Sequence, residues 1–366
     1  MEKRTYRNIP IRDSHMHIWR ELPLAKTVAF HKWVLDRFDY ETVAIMSIIW
    51  EPKDPPTRAH MQNLKSMYLK KELAPRAYAY AGLHFDGLTP EDDGEYFLQQ
   101  AKYYRACGYD GMKMFYPVSV YTAGFPHLHL SDPRYEKYFA YLEQEQIPLT
   151  IHLGGPEVCF ADIEQVPVSQ RKWHNKNWTV HLHDVLRDFE KVLDKFPKLN
   201  VTIAHFAFIT WHMDWAERWF EKYENLALDL TPSLFMYFDF QEKPKEWTEF
   251  FLKYADRIIY GTDIGSNTLD LERYEPDALT HVVRGFFEET EPIHEFEEVF
   301  YPMPLPDDVL KKIYRDNFVR KCGETPRPVN YALMAKELEL EAATPGHSQL
   351  DLENLEIMRK AFLQDA

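Results

Sequence analysis

Cysteine is scarce: Cys107, Cys159 and Cys322 are the only three in 366 residues. They lie far apart and form no CxxC pair, which excludes a disulfide framework and a cysteine-built zinc ribbon. A reduced, cytoplasmic setting is the expectation. Long apolar runs are also missing, since no stretch reaches the about 18 uncharged apolar residues of a spanning helix. The basic N-terminus has no apolar stretch behind it, so no signal peptide is read. Positive charge is in deficit: 43 Lys and Arg stand against 58 Asp and Glu, a net charge of −15. That balance argues against a nucleic-acid partner and against an anionic membrane surface. Neither GxGxxG nor GxxxxGK followed by Ser or Thr occurs, so no phosphate-cradling loop is expected.

Aromatic residues, by contrast, are in excess, at 15%. They are read as packed core. The chain alternates between short apolar runs and longer segments of helical period. The runs are 11–19, 42–50, 77–85, 109–116, 147–155, 200–208, 225–232 and 257–265. Helical stretches between them include 56–76, 92–108, 132–146, 181–198, 214–224 and 244–256. Repeated βα units predict an α/β fold, a (β/α)8 TIM barrel spanning 1–323. Residues 156–180, between the fifth run and its helix, are too long for a simple connection. They are read as a lid over the barrel mouth, with Trp173 or Trp178 near the cavity. Residues 324–366 form a C-terminal helical extension, packed outside the barrel or against a second copy in a homodimer.

The chemistry concentrates at strand ends. His15 and His17 stand two apart on the first run, and such residues share one face of a strand. His152, His205 and Asp263 close the fifth, sixth and eighth runs. In a barrel these positions share the rim where active sites lie. A buried carboxylate beside apolar strands is costly unless it meets a cation. One metal satisfies all of these groups together. Elsewhere, His174, His181 and His183 read as solvated residues in or beside the lid rather than a second zinc site. Lys70 and Lys71 read as a solvated helix face.

The motifs DSHMHIW, GMKMF, IHLGG, TIAHFAF and YGTDIG, with IYRDN further on, resemble those of the amidohydrolase superfamily. They are most similar to its amidohydrolase-related branch, which includes aminocarboxymuconate-semialdehyde decarboxylase and the resorcylate decarboxylases. The resemblance covers about Arg12 to Cys322. It implies one divalent metal on His15, His17, His152 and Asp263, with Asp263 also carrying a proton and His205 acting as a catalytic acid, base or polarising group. Lys113 matches a position that carries a carboxylated, metal-bridging lysine in two-metal members and a plain lysine in the branch. The single-metal reading is preferred. Trp19, Arg20 and Asn267 are candidate substrate contacts beside the ligands.

A divalent metal with an open position brings the pKa of a bound water to about 7. The expected reaction is hydrolysis of an amide, lactone or ester in a small carboxylated or aromatic substrate. Non-oxidative decarboxylation of an aromatic or unsaturated acid is the alternative. Zinc is expected from the N/O ligands, with manganese as the alternative.

Overall fold

The computed structural model describes residues 4–18, 22–48, 56–85, 87–117, 128–157, 162–166, 168, 171, 181–265 and 274–364. Trp19, Arg20, Asn267, Cys159, Trp173, Trp178 and most of the segment read as a lid lie outside the described residues.

Eight parallel strands among the described residues stand in chain order, each bonded to the next. They are β1 (Ile11–His17), β2 (Tyr40–Met46), β3 (Ala77–Gly82), β4 (Gly111–Pro117), β5 (Leu149–Gly154), β6 (Val201–Ile203), β7 (Leu226–Asp229) and β8 (Ile258–Ile259). The ring closes between β8 and β1. Ser14 N–H donates to Tyr260 O at 3.1 Å, Asp263 N–H to His15 O at 2.9 Å and His17 N–H to Ile264 O at 2.9 Å. Between the strands run α1 (Leu24–Arg37), α2 (Pro56–Glu72), α3 (Glu95–Cys107), α4 (Glu136–Gln144), α5 (Leu182–Lys195), α6 (Met213–Lys222) and the pair α7 (Leu234–Glu242) and α8 (Pro244–Lys253). Beyond β8 come α9 (Tyr274–Glu288), α10 (Asp307–Lys311) and α11 (Asn317–Cys322). The TIM barrel expected from the alternation is the fold observed.

Both faces of these strands are covered, which is why they read as apolar runs rather than alternating ones. In α5 the apolar positions Leu182, Val185, Leu186, Phe189, Val192 and Leu193 recur at helical spacing and are all buried. The aromatic excess is largely core: Trp219, Trp247 and Tyr260 are among the largest fully buried side chains. The last two helices, α12 (Tyr331–Ala343) and α13 (Gln349–Leu363), pack on the outside of the barrel. Asn354 ties them to the start of α1, accepting from Leu24 N–H at 3.2 Å and donating to Leu22 O at 3.1 Å.

Two readings need correction. Lys70 is buried, not solvated: its ammonium donates to Asp110 Oδ2 at 2.7 Å and to Gly108 O at 2.6 Å. The carboxylate just before β4 and the Gly108 carbonyl just past the end of α3 together supply the acceptors that make this burial tolerable. The sixth run also stops short of its expected end, because β6 leaves the ladder at Ile203. His205, Phe206, Ala207 and Phe208 follow with φ of 55°, 51°, 53° and 55°. Left-handed backbone costs a non-glycine residue of the order of 1–2 kcal/mol. Burial opposes that cost: Phe206 is fully enclosed, against Phe240, Trp247 and Phe251.

Thr210, just past this turn, donates its hydroxyl to Asp239 on α7. Burial raises the Asp239 carboxyl to about 7, the Thr210 hydrogen bond opposing that rise. The folded chain therefore keeps a proton that an unfolded carboxyl, at its ordinary 3.8, releases. Stability from this group is full below 3.8 and lost as pH rises through about 7. Denaturant unfolding of Asp239→Asn at several pH values should show a shallower decline across that window than the parent chain. Equal slopes would place the proton elsewhere.

Candidate metal centre

His15 and His17 project from the same face of β1 and are almost completely buried. Their Nε2 atoms stand 3.0 Å apart. Each ring is oriented from behind. His17 Nδ1 lies 3.1 Å from Met46 O, and a carbonyl only accepts, so Nδ1 carries the proton. His15 Nδ1 donates to Asp229 Oδ2 at 2.9 Å, with Thr231 Oγ1 at 3.1 Å. Both Nε2 lone pairs therefore point at a common place. Burial lowers both pKa values below the usual 6.5, favouring the neutral, ligating form.

Asp263 joins them from the chain four residues beyond β8, which stops at Ile259, short of the expected end of the eighth run. Its Oδ1 lies 3.1 Å from His17 Nε2 and 3.8 Å from His15 Nε2. Burial pushes this carboxyl up, but the ring nitrogens of His17, His205 and His15 around it outweigh that, and it is held below the usual range. Its backbone has φ 61°, a left-handed conformation that turns the side chain toward the histidines. Gly261, two residues earlier, lets this chain pass close to β1. A Cβ there would stand 3.1 Å from His15 Cβ and 2.6 Å from Thr231 Oγ1.

Donor atoms of His15, His17 and Asp263 all lie within 4.8 Å of one another. Two facing imine lone pairs and a carboxylate oxygen repel one another unless a cation sits among them. The residues thus fit a divalent metal. Lys113, on β4, currently meets that need in part: its Nζ stands 2.9 Å from His15 Nε2. Burial brings the lysine down to about 8, against the pull of Asp229 and Asp263.

The remaining predicted residues form the adjoining wall. The His152 ring lies 4.7 Å from the His205 ring, which lies 5.7 Å from the His15 ring. His152 Nε2 donates to Gly154 O at 3.3 Å, which leaves Nδ1 as its lone pair. No nitrogen of His152 belongs to the 4.8 Å set, so it stands beside the triad rather than within it. The Nδ1 of His205 donates to Thr231 O at 3.2 Å, leaving its Nε2 as the basic nitrogen.

The amidohydrolase family profile matches residues 13–320. The chain belongs to the amidohydrolase family. No curated protein matches the sequence. Among solved structures, 4-oxalomesaconate hydratase from Rhodopseudomonas palustris is similar at 11% identity and TM-score 0.53, covering 85% of this chain and 95% of that one. The 5-carboxyvanillate decarboxylase from Sphingomonas paucimobilis is similar at 11% identity and TM-score 0.51, covering 86% and 99%. A dihydroxybenzoic acid decarboxylase from Polaromonas sp. JS666, with bound manganese and 2-nitroresorcinol, is similar at 14% identity and TM-score 0.50, covering 86% and 96%.

By its family, this chain is an enzyme. One functional residue was not singled out from the sequence: Asp229, at the end of β7. Its Oδ2 accepts from His15, while Oδ1 accepts from the backbone N–H of His205 at 2.8 Å and of Thr231 at 3.1 Å. A lone carboxylate closing the apolar run LALD was the available signal.

Asp229→Asn should weaken metal binding by about 10- to 100-fold through loss of His15 orientation. His205→Asn should leave the metal in place while lowering turnover. Equilibrium dialysis with zinc or manganese, paired with activity, separates the two. Unchanged affinity in Asp229→Asn would deny it the orienting role.

Proposed function

We propose that this amidohydrolase is a one-metal hydrolase acting on an amide, lactone or ester of a small carboxylated or aromatic molecule. The observation that carries the reading is the exposure of Asp263 beside two buried histidines: its side chain is 27% accessible, theirs 1% and 3%. Within the ligand set, it is the carboxylate that incoming water meets. His15, His17 and Asp263 would hold the metal, zinc by its N/O donors or manganese, and His152, beside this triad, would reach it only by turning its ring away from Gly154 O. When bound, the metal supplies Lewis acidity toward water and carbonyl oxygen.

Asp263 takes a proton from water at the rim and hands it to the leaving group. Its ionised resting state suits the first step, because only a carboxylate can accept. His205, held by Thr231 O behind it, presents the basic Nε2 toward the same space; once that nitrogen has taken up a proton it donates to the substrate oxygen as charge develops there. Lys113 supplies a buried positive charge for a substrate carboxylate. Trp19, Arg20 and Asn267 stay candidate contacts on sequence position alone. Lys113 is taken here as a plain lysine in a one-metal site; two metals bridged by a modified Lys113 is the alternative arrangement.

A second reading, non-oxidative decarboxylation, has one observation of its own in that same Lys113. A fixed cation beside the metal ligands can hold a carboxylate that leaves as carbon dioxide. Panels of lactones, esters and hydroxylated aromatic acids should be offered to metal-loaded enzyme, with proton release and gas release measured side by side. Proton release without gas is expected, and Asp263→Asn should reduce it by about 100-fold or more. Gas release from an aromatic acid would replace hydrolysis by the second reading.

A further inference from the structure

A second group of metal-type ligands lies outside the centre described above. Glu157, His183 and His212 each place a donor atom within 4.8 Å of the other two. They come from three elements. Glu157 follows β5, His183 lies in the first turn of α5 and His212 stands at the N-terminal cap of α6. Glu157 Oε2 is 3.6 Å from His212 Nε2. Donor atoms on a tetrahedral zinc are separated by about 3.3 Å, given metal–ligand lengths of roughly 2.0–2.2 Å. The spacing needs little closure.

A second, independent observation concerns His183. Its Nε2 is shut off from solvent and has no hydrogen-bond partner. The ring is stacked on Trp215, with centroids 5.1 Å apart and an interplanar angle of 23°, and it lies 5.1 Å from the His212 ring. Buried ring nitrogens almost always find a partner, so this one calls for an explanation. Stacking fixes the plane of the ring and so fixes where its nitrogens point.

We infer that Glu157, His183 and His212 bind a second divalent cation of the zinc type. Two imidazoles and one carboxylate give three protein ligands, with the fourth position left to water. Water has access there, because the Glu157 and His212 side chains are 47% and 39% exposed. The cation has a structural role. Glu157 lies on the chain leaving His152 and His212 on the chain leaving His205, so one ion pins both segments behind the rim histidines. It also fastens both to the start of α5. Such a site stabilises the folded state by binding it and not the unfolded chain.

Zinc binding to the full chain, followed by calorimetry and by metal analysis after dialysis, tests this. His212→Gln and Glu157→Gln are conservative and lie at the exposed edge; His183→Ala removes the stacked ring. Circular dichroism verifies that each variant is folded. His212→Gln and Glu157→Gln should each bind one zinc fewer than the parent chain, or bind that zinc at least 10-fold more weakly. Both should lose part of the rise in Tm that zinc gives the parent. His15→Asn should remove a different equivalent, so that His15→Asn combined with His212→Gln loses both. If His212→Gln and Glu157→Gln keep the parent stoichiometry, affinity and zinc-dependent Tm, the second site does not exist. A loss confined to His15→Asn would leave the barrel-mouth site standing and overturn this one.

Discussion

The barrel mouth depends on what the Asp229 carboxylate holds. One oxygen accepts from His15 Nδ1; the other accepts from the backbone N–H groups of His205 and Thr231. Three segments are thereby locked together: β1, the left-handed turn after β6, and the chain after β7. Burial pushes this carboxyl up, while His205 and the hydrogen bonds it accepts oppose the rise. A buried carboxylate with several donors is tolerable where an unpaired one is not. From it follow the tautomer of His15, the direction of its Nε2 lone pair and the seat of His205.

Local strain is concentrated at the same place. His205 and Asp263 both adopt left-handed backbone, as do the three residues after His205. Neither turn uses glycine at these positions. The aromatic cluster around Phe206 supplies burial that offsets the strain. Such conformations persist where surrounding packing over-determines them, and they collect at functional sites. Here they aim two polar side chains toward His15, one from the chain after β6 and one from the chain after β8.

Much of this was legible in the sequence. An HxH pair on an apolar run can only present both rings to one side, and that geometry survives folding. Late His and Asp residues on parallel strands mark a common rim once a barrel is expected. Asp229 was less legible because its partner, His15, lies 214 positions away and only ring closure joins them. The turn at 204–208 was hidden for another reason. AHFAF carries no glycine or proline, so local propensity reads on as strand where tertiary packing bends it. Lys70 reads as solvated because its partner, Asp110, is 40 residues distant. Glu157, His183 and His212 share no sequence period, so their convergence is a property of the fold alone.

The central claim is that a cation belongs between His15, His17 and Asp263. The most direct measurement is a crystal structure of zinc- or manganese-loaded protein with anomalous scattering at the metal edge. The account predicts a peak about 2.0–2.2 Å from His15 Nε2, His17 Nε2 and an Asp263 oxygen. Lys113 should be unmodified and its Nζ moved off His15 Nε2. Fully loaded protein with no peak among these three side chains would contradict the account.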